Sequence, residues 1–108
     1  MIELVKVPIR CGEMDIELGA SLRVAFDFEP RKYPEEMHLP SVRTNLMEVD
    51  LFVEAFEAYG GWLDVMPSGH TGIVHLLGYD ALAITESKMA LGTRDEKTYI
   101  ILCKESNA

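Results

Sequence analysis

The sequence predicts an α+β fold, a mainly antiparallel sheet with one main helix packed on one face. Three observations carry this. Residues 15–29 alternate apolar and polar side chains for their whole length, the pattern of a strand with one buried and one wet face. Residues 46–59 place Val49, Phe52, Val53 and Phe56 at helical spacing. The remaining apolar stretches are short and bounded by turn residues, as strands are.

In chain order, residues 2–11 are rich in β-branched side chains, with Val5, Val7, Ile9 and Cys11 on one face. Pro8 cannot donate a ladder hydrogen bond, so this strand is expected at an edge or ending there. Residues 12–14 are short enough for a turn, which pairs residues 2–11 antiparallel with the long strand at 15–29. Pro30, Pro34 and Pro40 break both periodicities over 30–45, a loop long enough to suggest function or mobility.

Asn45 and Glu48 have capping-box spacing, and Gly60-Gly61 reads as a helix C-cap, so the main helix is expected over 46–59. Met47, Leu51, Ala55 and Ala58 add a second apolar row, leaving Asp50, Glu54 and Glu57 as the polar strip. Such a helix is more apolar than one sheet contact requires, which suggests cover by the loop or by a second subunit.

Residues 62–66 and 72–79 read as two strands joined by the turn-rich 67–71. Residues 80–91 divide between two short strands, 81–85 and 88–91, and a second short helix; the lack of one apolar stripe favours strands. Residues 97–103 form the last strand, after a polar turn at 93–96, and 104–108 a frayed tail. The predicted order is β-β-α-β-β-β-β-β in one domain spanning 1–108.

The composition narrows function by exclusion. Apolar residues make up 48% and charged residues 26%, the balance of a folded domain rather than a disordered chain. Ten Lys/Arg against eighteen Asp/Glu give a net charge of -8, which argues against nucleic-acid binding through phosphates. No apolar run approaches the length of a membrane-spanning helix or the core of a secretion signal. Cys11 and Cys103 are then expected as free thiols of a cytoplasmic protein, able to bridge only if the first and last strands adjoin. Within KTYIILCK, Cys103 looks like a small buried residue.

No catalytic or metal-binding constellation has recognisable spacing. The histidines His38, His70 and His75 lack a fixed acidic partner, and His75 within an apolar run is most simply a hydrogen-bonded sheet residue. Gly69 and Gly72 read as turn residues, with a backbone anion nest as the alternative. Neither cofactor nor metal is expected. Charge layout is more informative: residues 44–87 hold Glu48, Asp50, Glu54, Glu57, Asp64, Asp80 and Glu86 and no Lys or Arg. An ordinary solvated face explains this; so does an acidic docking face of Asp50, Glu54 and Glu57 for a basic partner.

The leading expectation is a small acidic cytoplasmic binding protein without catalytic activity of its own. Its partner would be another protein, in an accessory or inhibitor-type role, or a second copy in a homodimer. The alternative is a small-molecule-binding protein or enzyme with a pocket between loop 30–45 and turn 68–72. That pocket would use Arg31, Tyr33, His38, Arg43 and His70, with Glu35 or Glu36 as base.

Overall fold

The computed structural model describes residues 1–29, 34–35 and 42–103. The described residues form nine strands and one short helix: β1 (Ile2–Cys11), β2 (Ile16–Glu17), β3 (Ser21–Phe28), β4 (Arg43–Ala58), β5 (Gly61–Leu63), β6 (Val65–Met66), β7 (Thr71–Tyr79), α1 (Ala81–Ser87), β8 (Ala90–Gly92) and β9 (Tyr99–Leu102). The strands run β3-β8-β9-β1-β7-β4 with β4 returning to β3, which closes a six-stranded antiparallel barrel; β5 adds a seventh strand beside β4. The expected α+β sheet with a main helix is therefore corrected to a β-barrel. Within it β3, β4 and β7 are consecutive neighbours and β8 returns to lie beside β3, a Greek-key arrangement.

The largest correction is β4. The stretch expected as a helix over 46–59 lies, up to Ala58, within a 16-residue strand. Its true pattern is period two: Val49, Leu51 and Val53 point inward between Glu48, Asp50, Phe52 and Glu54. Three register shifts then insert extra residues on this strand. One falls between Val53 and Ala55, so Glu54 is the extra residue and the inward position moves to Phe56. The resulting Val53–Phe56 spacing of three imitates a helix. Asn45, expected as an N-cap, sits in another bulge at φ 54°, a left-handed conformation that Asn tolerates better than most residues. Its side-chain amide donates to Asp27 at 3.0 Å, and its carbonyl accepts from Lys88 Nζ at 2.9 Å.

The glycines after β4 end no helix. Ala58 pairs with Gly61, leaving Tyr59 and Gly60 as a two-residue hairpin loop. Their φ values are 54° and 77°, both positive as a type I′ turn requires.

Other pairings also differ from expectation. The long strand at 15–29 is split into β2 and β3 by a turn at Gly19, φ 83°. β1 pairs with β7 and β9 rather than with β3. The strands expected at 62–66 and 72–79 do not form a hairpin: β5 joins β4, and β6 joins β2. Residues 80–91 combine both alternatives, a helix at 81–87 followed by β8. Helix α1 buries Ala81, Ile84 and Thr85, an i, i+3, i+4 stripe only two turns long. Pro8 is in neither an edge strand nor at a strand end; it faces Ile73 on β7, and its carbonyl accepts Cys103 N–H at 2.9 Å.

The interior is filled by Ile9, Leu22, Leu51, Val53, Phe56, Val74, Leu76, Leu91 and Ile100. Ile16 and Met66, directly paired in the β2–β6 ribbon, cap the end where β7 begins; Ala81 and Ile84 of α1 cap the end where β7 finishes. The β4–β7 seam is unusually close at Gly78. A Cβ there would lie 2.4 Å from the Asp50 carbonyl oxygen and 2.7 Å from the Leu51 side chain. Gly78→Ala is therefore expected to destabilise the barrel by about 1–3 kcal/mol. Gly61→Ala, whose Cβ meets nothing within 4 Å, should cost no more than about 0.5 kcal/mol. Thermal melts check this: equal midpoints for the two variants would refute the close approach.

Candidate functional site

The barrel presents its outer surface in cross-strand rows, because directly paired residues share a face. On β1, β7 and β4 the rows are Ile2–Tyr79, Leu4–Leu77–Phe52, Lys6–His75–Ala55, and Pro8–Ile73–Glu57 continuing to Trp62 on β5. Ile2, Leu4, Phe52, Trp62, Ile73 and Tyr79 are all exposed, so this face carries an apolar patch rather than scattered single residues.

The chemistry concentrates where the β4–β5 hairpin stands beside β7. His75, only 7% exposed although it faces outward, bonds through Nε2 to Glu57 Oε1 at 2.8 Å. The Trp62 ring covers it, with centroids 5.3 Å apart in an edge-to-face arrangement. At the hairpin tip the Tyr59 hydroxyl hydrogen-bonds His70 Nδ1, and the two rings meet edge to face. A cleft of about 350 Å³ lies between, lined by Glu57, Ala58, Gly60, Gly61, Trp62 and Ile73. Tyr59 and Trp62 are 75% and 68% exposed. Exposed aromatics held by specific ring and hydrogen-bond contacts are the usual anchors of binding surfaces.

The predicted acidic residues are on β4, not along a helix strip. Asp50 pairs with Arg23 at 3.2 Å, Glu57 belongs to the His75 cluster, and Glu54 is the exposed extra residue of the bulge. Of the alternative pocket, Arg31, Tyr33 and His38 lie outside the described residues, as does Glu36; Glu35 is exposed in a turn. Arg43 is committed elsewhere. Its guanidinium lies 4.5 Å from the Phe26 ring centroid and 5.0 Å from that of Tyr99, and it pairs with Glu96 at 3.5 Å. His70 is engaged with Tyr59. The 69–72 turn uses its backbone N–H groups internally, with Gly69 N–H shared between the carbonyls of Cys11 and Gly12 and His70 N–H bonded to the Pro67 carbonyl. This accounts for two donors of the suggested anion nest.

Sequence reasoning missed Tyr59 and Trp62. The available signal was the run Glu57-Ala58-Tyr59-Gly60-Gly61-Trp62, which fits an x-Gly hairpin turn between paired residues.

Among the described residues, no group of three or more His, Cys, Asp or Glu side chains is placed to hold a metal ion, and no helix is long and apolar enough to cross a membrane. Cys11 and Cys103 are both free thiols. Cys11 is buried, and burial followed by the nearby Asp15 carboxylate raises its pKa. Cys103 is exposed, which corrects the expectation of a buried residue. Because the thiolate is the reactive form, Cys103 should be modified by a disulfide reagent at pH 8 within minutes. Cys11 should stay unmodified until the barrel is unfolded. Mass spectrometry showing two fast modifications would contradict the burial of Cys11. A raised folded pKa also means that the Cys11 contribution to stability is complete below its ordinary value of 9.0 and declines as pH rises beyond it.

No protein-family model matches this chain, and neither a curated protein nor a solved structure is significantly similar to it.

Proposed function

We propose that this chain is a binding protein, accessory or inhibitor-type, that engages a basic surface of a protein partner on the outer face of β4, β5 and β7. One observation carries the reading: the exposed Tyr59 and Trp62 stand beside Glu57, in a stretch, residues 44–87, that holds seven acidic residues and no Lys or Arg. Aromatic anchors supply desolvated contact area, while surrounding charge selects the partner and speeds encounter. A second copy is a poorer occupant, because two such acidic faces repel one another. The free thiols fit a reducing compartment, and we place the protein in the cytoplasm on that ground.

Backbone geometry at the hairpin tip supports the reading. A type I′ turn favours Asn-Gly, yet its first position is Tyr59 at φ 54°, a conformation costly for a bulky side chain. Selection for stability alone would favour Asn there. An exposed ring in that place makes sense if it contacts something.

The test separates folding from binding. Tyr59→Asn should hold or raise the melting temperature while weakening salt-dependent capture of basic ten-residue peptides by about fivefold. The double change Glu54→Gln and Glu57→Gln should weaken capture similarly. Glu13→Gln with Glu29→Gln, which removes the same charge outside β4, β5 and β7, should weaken it less. Equal losses in the two double variants, or full capture by Tyr59→Asn, would sink the proposal.

A further inference from the structure

We infer that the cleft beside Trp62 takes the guanidinium of an arginine side chain from the partner, stacked on the indole and paired with the Glu57 carboxylate. This rests on the binding-face reading and adds to it a single recognised group. Glu57 pairs with Trp62 across β4–β5 and with Ile73 across β4–β7, so its carboxylate is set in one row between an aromatic and an aliphatic wall. The remaining lining, Ala58, Gly60 and Gly61, has little side-chain bulk, which leaves the cleft open above the backbone.

The two recognition elements are fixed before a ligand arrives. His75 holds Glu57 through Oε1 at 2.8 Å and meets the Trp62 ring at 5.3 Å, so one nearly buried imidazole positions both. A carboxylate has about four acceptor sites, and His75 occupies one, leaving capacity for a two-pronged donor. A guanidinium matches this site better than an ammonium. It is planar, weakly hydrated, stacks on indole and donates in a fork, whereas ammonium is a compact, strongly hydrated point charge. Among the described residues, the ion-pair partner of Glu57 is His75 and no Lys or Arg joins it: residues 44–87 contain no Lys or Arg, and Lys6 lies across β7 on β1, opposite His75.

Trp62 is the chain's single tryptophan and reports on the cleft directly. Hexa-arginine, hexa-lysine and hexa-citrulline peptides are titrated against the full chain, with emission of Trp62 as readout. Hexa-arginine should perturb the emission and bind at least about threefold more tightly than hexa-lysine, and hexa-citrulline should not bind. Glu57→Gln keeps an acceptor for His75 and should lower hexa-arginine affinity by about threefold to tenfold, to the level of hexa-lysine. Trp62→Ala, followed by calorimetry, should cost about threefold to fivefold. Circular dichroism confirms that both variants are folded. Equal affinity for arginine and lysine, with Glu57→Gln no worse than Glu13→Gln, would overturn the arginine cleft and leave the binding face standing. If none of the peptides binds, both readings fail together.

Discussion

Closure of the barrel depends on β4. The strand pairs with β3 through residues 43–52 and with β7 through residues 51–57, so one 16-residue segment serves two neighbours on opposite sides. A regular strand of this length would not bend enough to do both within a small barrel. Each bulge adds local twist and a bend, and all three register shifts place the extra residue on β4. The Asn45 bulge is further tied down by Asp27, whose two carboxylate oxygens accept from Asn45 Nδ2 and from Met89 N–H, joining β4, β3 and the entry to β8. Gly78 completes the seam by letting the β7 backbone approach that of β4.

The same strand builds the candidate site. Pairing with β7 ends at Glu57, and β4 turns immediately into β5, so Tyr59 and Trp62 project from a hairpin whose root is locked into the barrel wall. The Glu54 bulge also decides what faces out beyond it. With the phase shifted by one residue, Phe56 enters the core and Glu57 turns to the surface beside His75. If the strand ran regularly through Glu54, with no bulge there, the alternation would bury Glu57 and expose Phe56. Core filling and site formation are thus two consequences of one insertion in the ladder.

That insertion also explains how much was legible in the sequence. The strand at Thr71–Tyr79, whose side chains alternate without a break, was readable, and the apolar alternation over residues 15–29 located β3, although Leu22 and Ala25 are both in its core face. The bulges of β4 mixed spacings of two and three, and the flanking Asn45 and Gly60-Gly61 happened to suit helix caps. β-branched and aromatic residues at 49, 52, 53 and 56 favoured a strand, a propensity outweighed by the apparent stripe. Strand order was not legible, because β1–β7 and β1–β9 pairings join residues far apart in sequence. The site suffered the same fate: Glu57 was singled out for charge, His70 and His75 for type, and only the hairpin register brought them together with Tyr59 and Trp62. Arg43, by contrast, was expected in the alternative pocket but is spent on Phe26, Tyr99 and Glu96.

For the binding role proposed above, the -8 net charge would act on a partner at two ranges, and the ranges would select different things. At distances beyond about 8 Å, physiological salt screens individual carboxylates, so the acidic stretch 44–87 works as a diffuse field that favours any cationic surface. Inside that distance the identities of the side chains matter. Asp50 is already paired with Arg23 on an exposed surface and adds little that is specific. Glu57 differs because its bond to His75 fixes its direction and Trp62, packed on the same imidazole, is its cross-strand neighbour. A cation reaching it would exchange hydration for a positioned carboxylate and a neighbouring ring at once. On the proposed reading, the field would bring basic partners to the face, and the hairpin cleft would decide which of them stay.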